Sequence, residues 1–290
     1  MASRKKMIPG DEMETKASMA QLKELVSFLY DQGLCRDDPV TMNLGILGGW
    51  AVFFTVNDHW KEWRKHEYYG SRDIDIFVHC EEDRLEKMFK AIEDLGYWVK
   101  DGRGYVKVLR KDPHGPEDNR LKIIPKEEYH RISTEDRIEH YLDIFCDRSC
   151  GDSALDCRFK IVNSLLDLQE IFPRSIQIQV SGKRIALPPL IDLIKLKARA
   201  MFDENRGREK ILKDMCDIIA LSTVPAFQNA CMEHKDSLGD VEMALSYIRD
   251  DELLKQVSIN LFHEDTLEYI TRLIDSKLMI VHDLKSKIQL

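Results

Sequence analysis

The sequence lacks the features that mark membrane, secreted and zinc-binding proteins. No apolar run approaches the roughly 18 residues that a membrane-spanning helix needs, and no apolar signal segment follows the basic Arg4-Lys5-Lys6. The 7 cysteines include no Cys-x-x-Cys pair, and the spacing of Cys146, Cys150 and Cys157 does not suit a zinc knuckle. We therefore expect a cytoplasmic protein with reduced thiols and no membrane partner.

An excess of positive charge is also absent. Lys and Arg number 43 against 51 Asp and Glu, which gives a net charge of −8. Because binding along a nucleic-acid backbone depends on cations, this balance argues against a protein that coats nucleic acid non-specifically. One stretch of the sequence nevertheless concentrates basic residues, which leaves local steering of an RNA end open. These residues are Arg199, Arg206, Arg208, Lys210 and Lys213.

A short strand pattern carries two acids. In the stretch Ser71–Phe77, β-branched and aromatic residues alternate with polar ones, which predicts a strand. Side chains two positions apart on a strand point to the same face, so we expect Asp73 and Asp75 to lie side by side. Two neighbouring carboxylates repel each other unless a cation lies between them. Oxygen ligands without a His or Cys cluster favour Mg²⁺ or Mn²⁺.

A glycine pair precedes these acids in the sequence. The apolar run from Asn43 to Leu47 ends at Gly48-Gly49, and a second apolar run covers Ala51 to Phe54. A strand, a glycine turn and a helix is the most economical interpretation. Glycine allows a ligand to approach the backbone closely, and the start of a helix attracts anions. A phosphate site beside a metal-binding acid pair indicates chemistry on a nucleoside triphosphate.

Together these motifs resemble a known signature. Leu47-Gly48-Gly49-Trp50-Ala51-Val52, followed by Arg72-Asp73-Ile74-Asp75-Ile76, resembles the nucleotidyltransferase superfamily, which has the DNA polymerase β-like fold. The longer spacing is closer to the branch of AbiEii-like and aminoglycoside-modifying enzymes. The resemblance implies an α+β fold, in which a mixed-sheet nucleotidyltransferase domain with flanking helices precedes a helical domain.

The resemblance also implies an activity and nucleotide-binding residues. The activity is Mg²⁺- or Mn²⁺-dependent transfer of a nucleoside monophosphate from an NTP, such as ATP, to an acceptor hydroxyl. Gly48 and Gly49 are expected to contact the triphosphate, and Ser71 is expected to hydrogen-bond a phosphate or simply to begin the strand. Two interpretations of Arg72 remain open, a salt bridge at the strand end or a residue that orients the acids or meets a phosphate.

A third carboxylate is expected on a second strand. Alternation between residues 138 and 147 predicts a strand that carries Asp143 in its middle, and Asp147 is the alternative. In the family, the acid that corresponds to Asp143 lies beside the first pair of acids. It is a metal ligand there and can act as general base. Between the two acid strands, residues 97–110 predict a β-hairpin in which Gly104 is a turn residue.

The second half of the chain predicts only helices. The composition changes near residue 188, which suggests a nucleotidyltransferase domain over residues 14–187 and a helical domain over residues 188–290. Leu193-Ile194-Lys195-Leu196-Lys197-Ala198 and Lys213-Asp214-x-x-Asp217 resemble two elements of AbiEii-like enzymes. The resemblance implies that Lys195 and Asp214 are active-site residues, reached across an inter-domain cleft, and that Lys195 also binds the nucleotide.

The acceptor is the least determined partner. RNA, such as a tRNA end, or a protein side chain is slightly favoured, and an aminoglycoside-like small molecule is the alternative. AbiEii-like proteins are often toxins of toxin–antitoxin pairs, so a toxin role is a further expectation from the resemblance. A different class of function is a binding module that keeps the fold and recognises a nucleotide or partner without turnover.

Overall fold

The structure is a computed structural model that describes residues 12–36, 43–79, 82–100, 104–111, 121–146, 160–161, 173–263 and 267–288. Within these residues the chain divides into two compact units. A sheet unit lies in Gly10–Ala51 and Gly70–Pro188, and a helical unit lies in Val52–Tyr69 and Pro189–Leu290. Residues 52–69 thus group with the C-terminal helices, and the predicted domain boundary at residue 188 stays a prediction. Among the described residues, no helix has the length and apolar character to cross a bilayer.

A mixed sheet of nine described strands forms the first unit, which confirms the predicted fold class. The strands are β1 (Leu44–Ile46), β2 (Ile74–Val78), β3 (Trp98–Val99), β4 (Tyr105–Lys111), β5 (Leu121–Ile124), β6 (Arg137–Cys146), β7 (Lys160–Ile161), β8 (Ile176–Val180) and β9 (Lys183–Leu187). Their order is β3-β4-β6-β2-β1-β9-β8, with β5 on β4 and β7 on β6.

The middle of the sheet brings together the two strands that carry acids. Strand β2 pairs with β1 in antiparallel orientation and with β6 in parallel orientation. Along β6, buried and half-buried residues alternate without interruption from Arg137 to Cys146. The buried side includes Ile138, Leu142 and Ile144, which anchors that face to the core. The other face carries Arg137, Glu139, Tyr141 and Asp143.

Three helices begin in the sheet unit, namely α1 (Glu12–Asp31), α2 (Gly48–Arg64) and α3 (Glu82–Asp94). The start of α2 is fixed to α1, because the Trp50 indole Nε1 donates a hydrogen bond to Ser18 Oγ at 3.1 Å. Trp50 is almost fully buried, so its indole nitrogen needs this partner. The sequence pattern of strand, glycine turn and helix is confirmed, and the helix begins at Gly48.

The helical unit contains six described helices that follow residue 188, as the sequence predicted. They are α4 (Leu190–Met201), α5 (Arg208–Thr223), α6 (Phe227–Glu233), α7 (Leu238–Asp250), α8 (Leu254–Phe262) and α9 (Glu268–Ile288). Each helix buries one apolar face, and α5 also buries two acids, Asp214 and Asp217. Because an ionised carboxylate is costly to bury alone, these acids require partners inside the helical unit.

Candidate active site

Asp75 and Asp143 form the centre of the candidate site. They are register partners on the parallel strands β2 and β6, and both are half-buried. Neighbouring strands lie about 4.8 Å apart, and register partners point to the same face of the sheet. Two carboxylates therefore lie side by side, which is unfavourable unless a positive group is shared between them. The sequence had paired Asp75 with Asp73 and placed Asp143 on the neighbouring strand, and the metal-binding role of these acids stays a prediction.

Two glycines with positive φ lie against these carboxylates. Gly48 has a φ of +61°, and a Cβ there would lie 1.8 Å from Asp75 Oδ2. Gly104 has a φ of +89°, and a Cβ there would lie 2.9 Å from Asp143 Oδ1. The left-handed conformation and the lack of space both restrict these positions to glycine. Gly48 therefore makes room for Asp75 itself, whereas the sequence had indicated only room for a ligand.

The N-terminus of α2 lies at the same place. Helix α2 begins at Gly48 with no acid in its first turn. Leu47 N donates to Asp75 O at 2.8 Å, which ties the residue before the helix to the acid strand. The first amides of a helix have no intrahelical acceptor, so those of Gly48 and Gly49 are suited to bind an anion. The phosphate role of these glycines stays a prediction.

Asp73 differs from its predicted position. Strand β2 begins at Ile74, and Asp73 lies in a bend before it, so the alternation of a strand does not align Asp73 with Asp75. Asp73 Oδ1 is buried without a hydrogen-bond partner among the described residues. The nearest cation is the adjacent Arg72, whose Nε lies 3.7 Å away. Ser71 is buried, and its predicted phosphate contact stays a prediction.

His140 contacts the backbone just before β2. Its Nδ1 lies 3.3 Å from the carbonyl oxygen of Arg72, and since a carbonyl oxygen only accepts, this nitrogen donates the hydrogen bond. The imidazole is fully buried on the core side of β6, and burial lowers its pKa. Neutral His140 thus holds the peptide that precedes Asp73. The sequence contained one sign of this contact, a histidine on the apolar side of an alternating strand.

The carboxylates of the candidate site are chemically suited to bind a divalent cation. Carboxylate oxygens are the ligands that Mg²⁺ prefers, and Asp73 Oδ1, which has no hydrogen-bond partner among the described residues, is of this type. Glycine at positions 48 and 104 lets the carboxylates of Asp75 and Asp143 lie directly against the backbone. Within the described residues, however, no three His, Cys, Asp or Glu side chains already converge as a metal site. Asp147, the alternative third ligand, lies outside the described residues.

The helical unit contains a different set of acids. Lys197 Nζ lies 3.0 Å from Asp214 Oδ1 and 2.6 Å from Asp217 Oδ2. Arg206 Nη2 lies 2.7 Å from Asp214 Oδ2, and the Tyr68 hydroxyl donates to Asp217 Oδ1 at 2.8 Å. Burial alone would lower the pKa of Lys197, but its two acid partners outweigh burial and raise it. The lysine therefore stays charged, and the buried acids are compensated.

Lys195 lies outside this network. Its Nζ donates to Ser237 Oγ at 3.2 Å and lies 3.7 Å from Asp240 Oδ2. In the structure Asp214 therefore pairs with Lys197, which lies two residues after Lys195 on α4, whereas the resemblance had pointed to Lys195. The active-site roles of Lys195 and Asp214 stay predictions. Sequence reasoning overlooked Lys197 because the resemblance pointed to Lys195, and only packing shows that Lys197 is the buried lysine.

Comparison with known proteins adds two solved structures. No family model matches the chain, and no curated protein resembles it in sequence. The chain is similar to an antigenic nucleotidyltransferase-like protein from Paracoccidioides brasiliensis, with 11% identity over 85% of this chain and 97% of that chain and a TM-score of 0.44. It is also similar to a protein from H. pylori described as a candidate nucleotidyltransferase, with 14% identity over 82% of this chain and 92% of that chain and a TM-score of 0.34. The AbiEii-like branch stays a prediction.

Proposed function

We propose that this protein is a Mg²⁺-dependent nucleotidyltransferase that moves a nucleoside monophosphate from an NTP to an acceptor hydroxyl. One observation carries the proposal. Asp75 and Asp143 are in register on parallel strands, each beside a positive-φ glycine, and α2 begins at Gly48 against Asp75. This arrangement combines anionic metal ligands with amide donors for phosphate.

The residues of the chain divide the chemistry between them. Asp75 and Asp143, with Asp73, would hold Mg²⁺, which when bound lowers the pKa of the acceptor hydroxyl and offsets the charge of the triphosphate. The first amides of α2 orient the phosphates by donating hydrogen bonds. Asp143 accepts the proton of the acceptor hydroxyl as general base, the hydroxyl oxygen bonds to the α-phosphorus of the NTP, and the bond from that phosphorus to the bridging oxygen breaks to release pyrophosphate. Arg72 is half-exposed beside Asp73, where it can contact a phosphate as well as this carboxylate.

Transfer of a labelled α-phosphate tests the proposal. The protein is incubated with each α-labelled NTP, Mg²⁺ or Mn²⁺, and total RNA, lysate protein or an aminoglycoside panel. We expect label on one acceptor class, and loss of labelling in Asp143→Asn, which keeps the shape of the side chain and removes its charge. Asp94→Asn is the matched control, because Asp94 is an exposed acid at the end of α3. Equal labelling by Asp143→Asn and the parent would contradict the proposal.

The acceptor that we propose is RNA or protein, with a small molecule as the alternative outcome of the same experiment. Two cations of the basic stretch are already engaged with acids. Arg206 contacts Asp214, and Arg208 Nη2 lies 2.7 Å from Glu252 Oε1. The preference for RNA therefore does not rest on Arg206 or Arg208. A toxin role, which the sequence resemblance implied, would follow if transfer inactivates a cellular RNA or protein.

A nucleotide-binding module without turnover is the second candidate function. The observation that favours it is that no described set of three ligands converges on a metal. Such a module would bind an NTP through the amides of α2 and would label no acceptor. Calorimetry separates the two, because the enzyme requires Mg²⁺ for tight NTP binding through its acids. NTP binding that is independent of Mg²⁺ and unchanged in Asp143→Asn would favour the module.

A further inference from the structure

The acid face of β6 continues beyond Asp143. Arg137, Glu139, Tyr141 and Asp143 alternate along the half-buried side of the strand. Tyr141 precedes Asp143 by two residues, a separation of about 6.7 Å on one face. In β4 the register partner of Tyr141 is the buried Val106. The tyrosine therefore lies next to the candidate active site.

The hydroxyl of Tyr141 is held in one place by its neighbours. It donates to Glu139 Oε2 at 2.5 Å and accepts from Lys100 Nζ at 3.2 Å. Lys100 Nζ also donates to Glu139 Oε2 at 2.7 Å and to the Tyr129 hydroxyl at 2.6 Å. Tyr129 in turn donates to Glu139 Oε1 at 2.7 Å, and Arg137 Nε lies 3.1 Å from the same oxygen.

This polar network has little hydrogen-bonding capacity left. An ammonium group has three protons, and Lys100 has three acceptors. Each oxygen of Glu139 meets two donors. Burial and the contact with Glu139 raise the pKa of Tyr141, so its hydroxyl stays protonated at neutral pH and cannot serve as a base. The network therefore fixes the orientation of Tyr141 and offers no polar group for recognition.

The aromatic ring of Tyr141 is the group that we consider for a ligand, and the Lys100 ammonium lies 5.6 Å from its centroid. Tyr141 packs against a small apolar cluster of Val106, Val108, Ile124 and Tyr129, and it is itself only half-buried. A planar ring beside a phosphate site suits a nucleobase, since every base has a π-face and stacking requires no hydrogen bond. Stacking of this kind does not distinguish one base from another.

We propose that Tyr141 is the stacking surface for a nucleobase whose phosphate lies at Asp75 and Asp143, and that this contact is indifferent to base identity. The inference rests on the proposed function and deepens it. The base belongs either to the NTP or to the terminal nucleotide of an RNA acceptor. The chemistry is the same in both cases, and the experiment distinguishes them.

Calorimetry with NTPs and with a ligand that lacks a base tests the stacking contact. ATP, GTP, CTP, UTP and inorganic tripolyphosphate are titrated in the presence of Mg²⁺ into the parent, Tyr141→Leu and Tyr141→Phe. Stacking contributes about 1–3 kcal/mol per base, so Tyr141→Leu should weaken all four NTPs by about 5- to 150-fold. Tripolyphosphate binding should not change. Tyr141→Phe keeps the ring and should remain close to the parent.

The control is Tyr129→Phe, which removes a hydroxyl from the same network without altering Tyr141. It should bind NTPs as the parent does. If NTP affinity is intact in Tyr141→Leu but the KM for RNA in the labelling reaction rises, the base belongs to the acceptor. No change in either quantity would overturn the inference, and so would equal losses for NTP and tripolyphosphate. A parent that binds neither ligand would refute the proposed function itself, and this inference with it.

Discussion

The sheet unit and the helical unit both contain clustered aspartates, and their surroundings differ. Asp214 and Asp217 are 1% and 2% exposed, and fixed side chains compensate both of them, chiefly Lys197 and Arg206. Asp75 and Asp143 are half-buried neighbours of like charge, each beside a glycine. Buried acids with fixed cationic partners contribute to the structure of a fold, whereas two adjacent, half-buried acids of like charge are suited to share a ligand cation. The surroundings of an aspartate thus indicate whether its role is structural or ligand-binding, whereas its residue type alone does not.

The largest effect is expected from breaking the network of charges around Asp214 and Asp217. Lys197→Met leaves two buried carboxylates with only Arg206 as a cation, so we expect the free energy of unfolding to fall by about 3–5 kcal/mol. Chemical denaturation measures it. Lys195→Met is the control on the same helix, because its contact with Asp240 is long and its loss should cost about 0–1 kcal/mol. Equal losses in the two variants would contradict the distinction between these lysines.

The transfer activity of Lys195→Met tests whether Lys195 takes part in the active site. The family resemblance implies that Lys195 takes part in the active site, whereas its own contacts are with Ser237 and Asp240. A stable variant that no longer transfers label would support the implied role. A stable variant with parental transfer would restrict the site to the sheet unit.

The next effect concerns the glycine beside Asp75. Gly48→Ala strains a left-handed residue and places a Cβ 1.8 Å from the carboxylate, so it should cost about 2–4 kcal/mol and weaken Mg²⁺-dependent NTP binding. Gly182→Ala is the matched control, since Gly182 also has a positive φ, +73°, but nothing lies within 4 Å of its Cβ position. It should cost only the strain, about 1–2 kcal/mol, and leave binding intact. If the two variants lost the same stability and both kept NTP binding, Gly48 would be required only for its backbone conformation.

A smaller effect concerns acid stability in the sheet unit. Burial would raise the pKa of Glu139, but hydrogen bonds from Lys100, Tyr141 and Tyr129 outweigh it and lower the pKa to about 2. Because the folded-state pKa is depressed, Glu139 stabilises the fold above its ordinary pKa near 4.5, and this contribution is lost as the pH falls toward 2. The stability advantage of the parent over Glu139→Gln should therefore shrink between about pH 5 and pH 2, the region that these two pKa values bracket.

Denaturation curves across this pH range test the linkage. Glu135→Gln is the control, because Glu135 is exposed and its side chain is outside the network. Its stability should follow that of the parent at every pH. A constant difference between the parent and Glu139→Gln would mean that the carboxylate gains nothing from its charged partners.

The smallest expected change in stability comes from the candidate active site. Asp143→Asn keeps the shape of the side chain and removes one of two neighbouring like charges, so the free energy of unfolding should change by no more than about 1 kcal/mol while transfer is lost. In contrast, Asp214→Asn should destabilise the protein, because it leaves Lys197 and Arg206 undercompensated. Thermal unfolding in the absence of Mg²⁺ distinguishes the two. A marked loss of stability in Asp143→Asn would place this acid with the structural ones.

Local patterns account for much of the fold. The turn at Ser181-Gly182 joins β8 and β9 as the sequence indicated, and both residues have positive φ. The helices after residue 188 and the alternation along β6 were also visible in the sequence. These features depend on residues close together in the chain, through turn chemistry and the periods of helices and strands.

Long-range packing decided the details of the site. Gly104 lies beside Asp143, His140 holds the Arg72 carbonyl, and β2 begins one residue after Asp73. On α4, Lys197 rather than Lys195 meets Asp214. None of these contacts follows from residue spacing, because each depends on the register between strands or on which helix face is buried. The sequence alone suggested the acids of the candidate site, and tertiary structure determined which groups surround each one, since strand register and helix packing bring distant residues together.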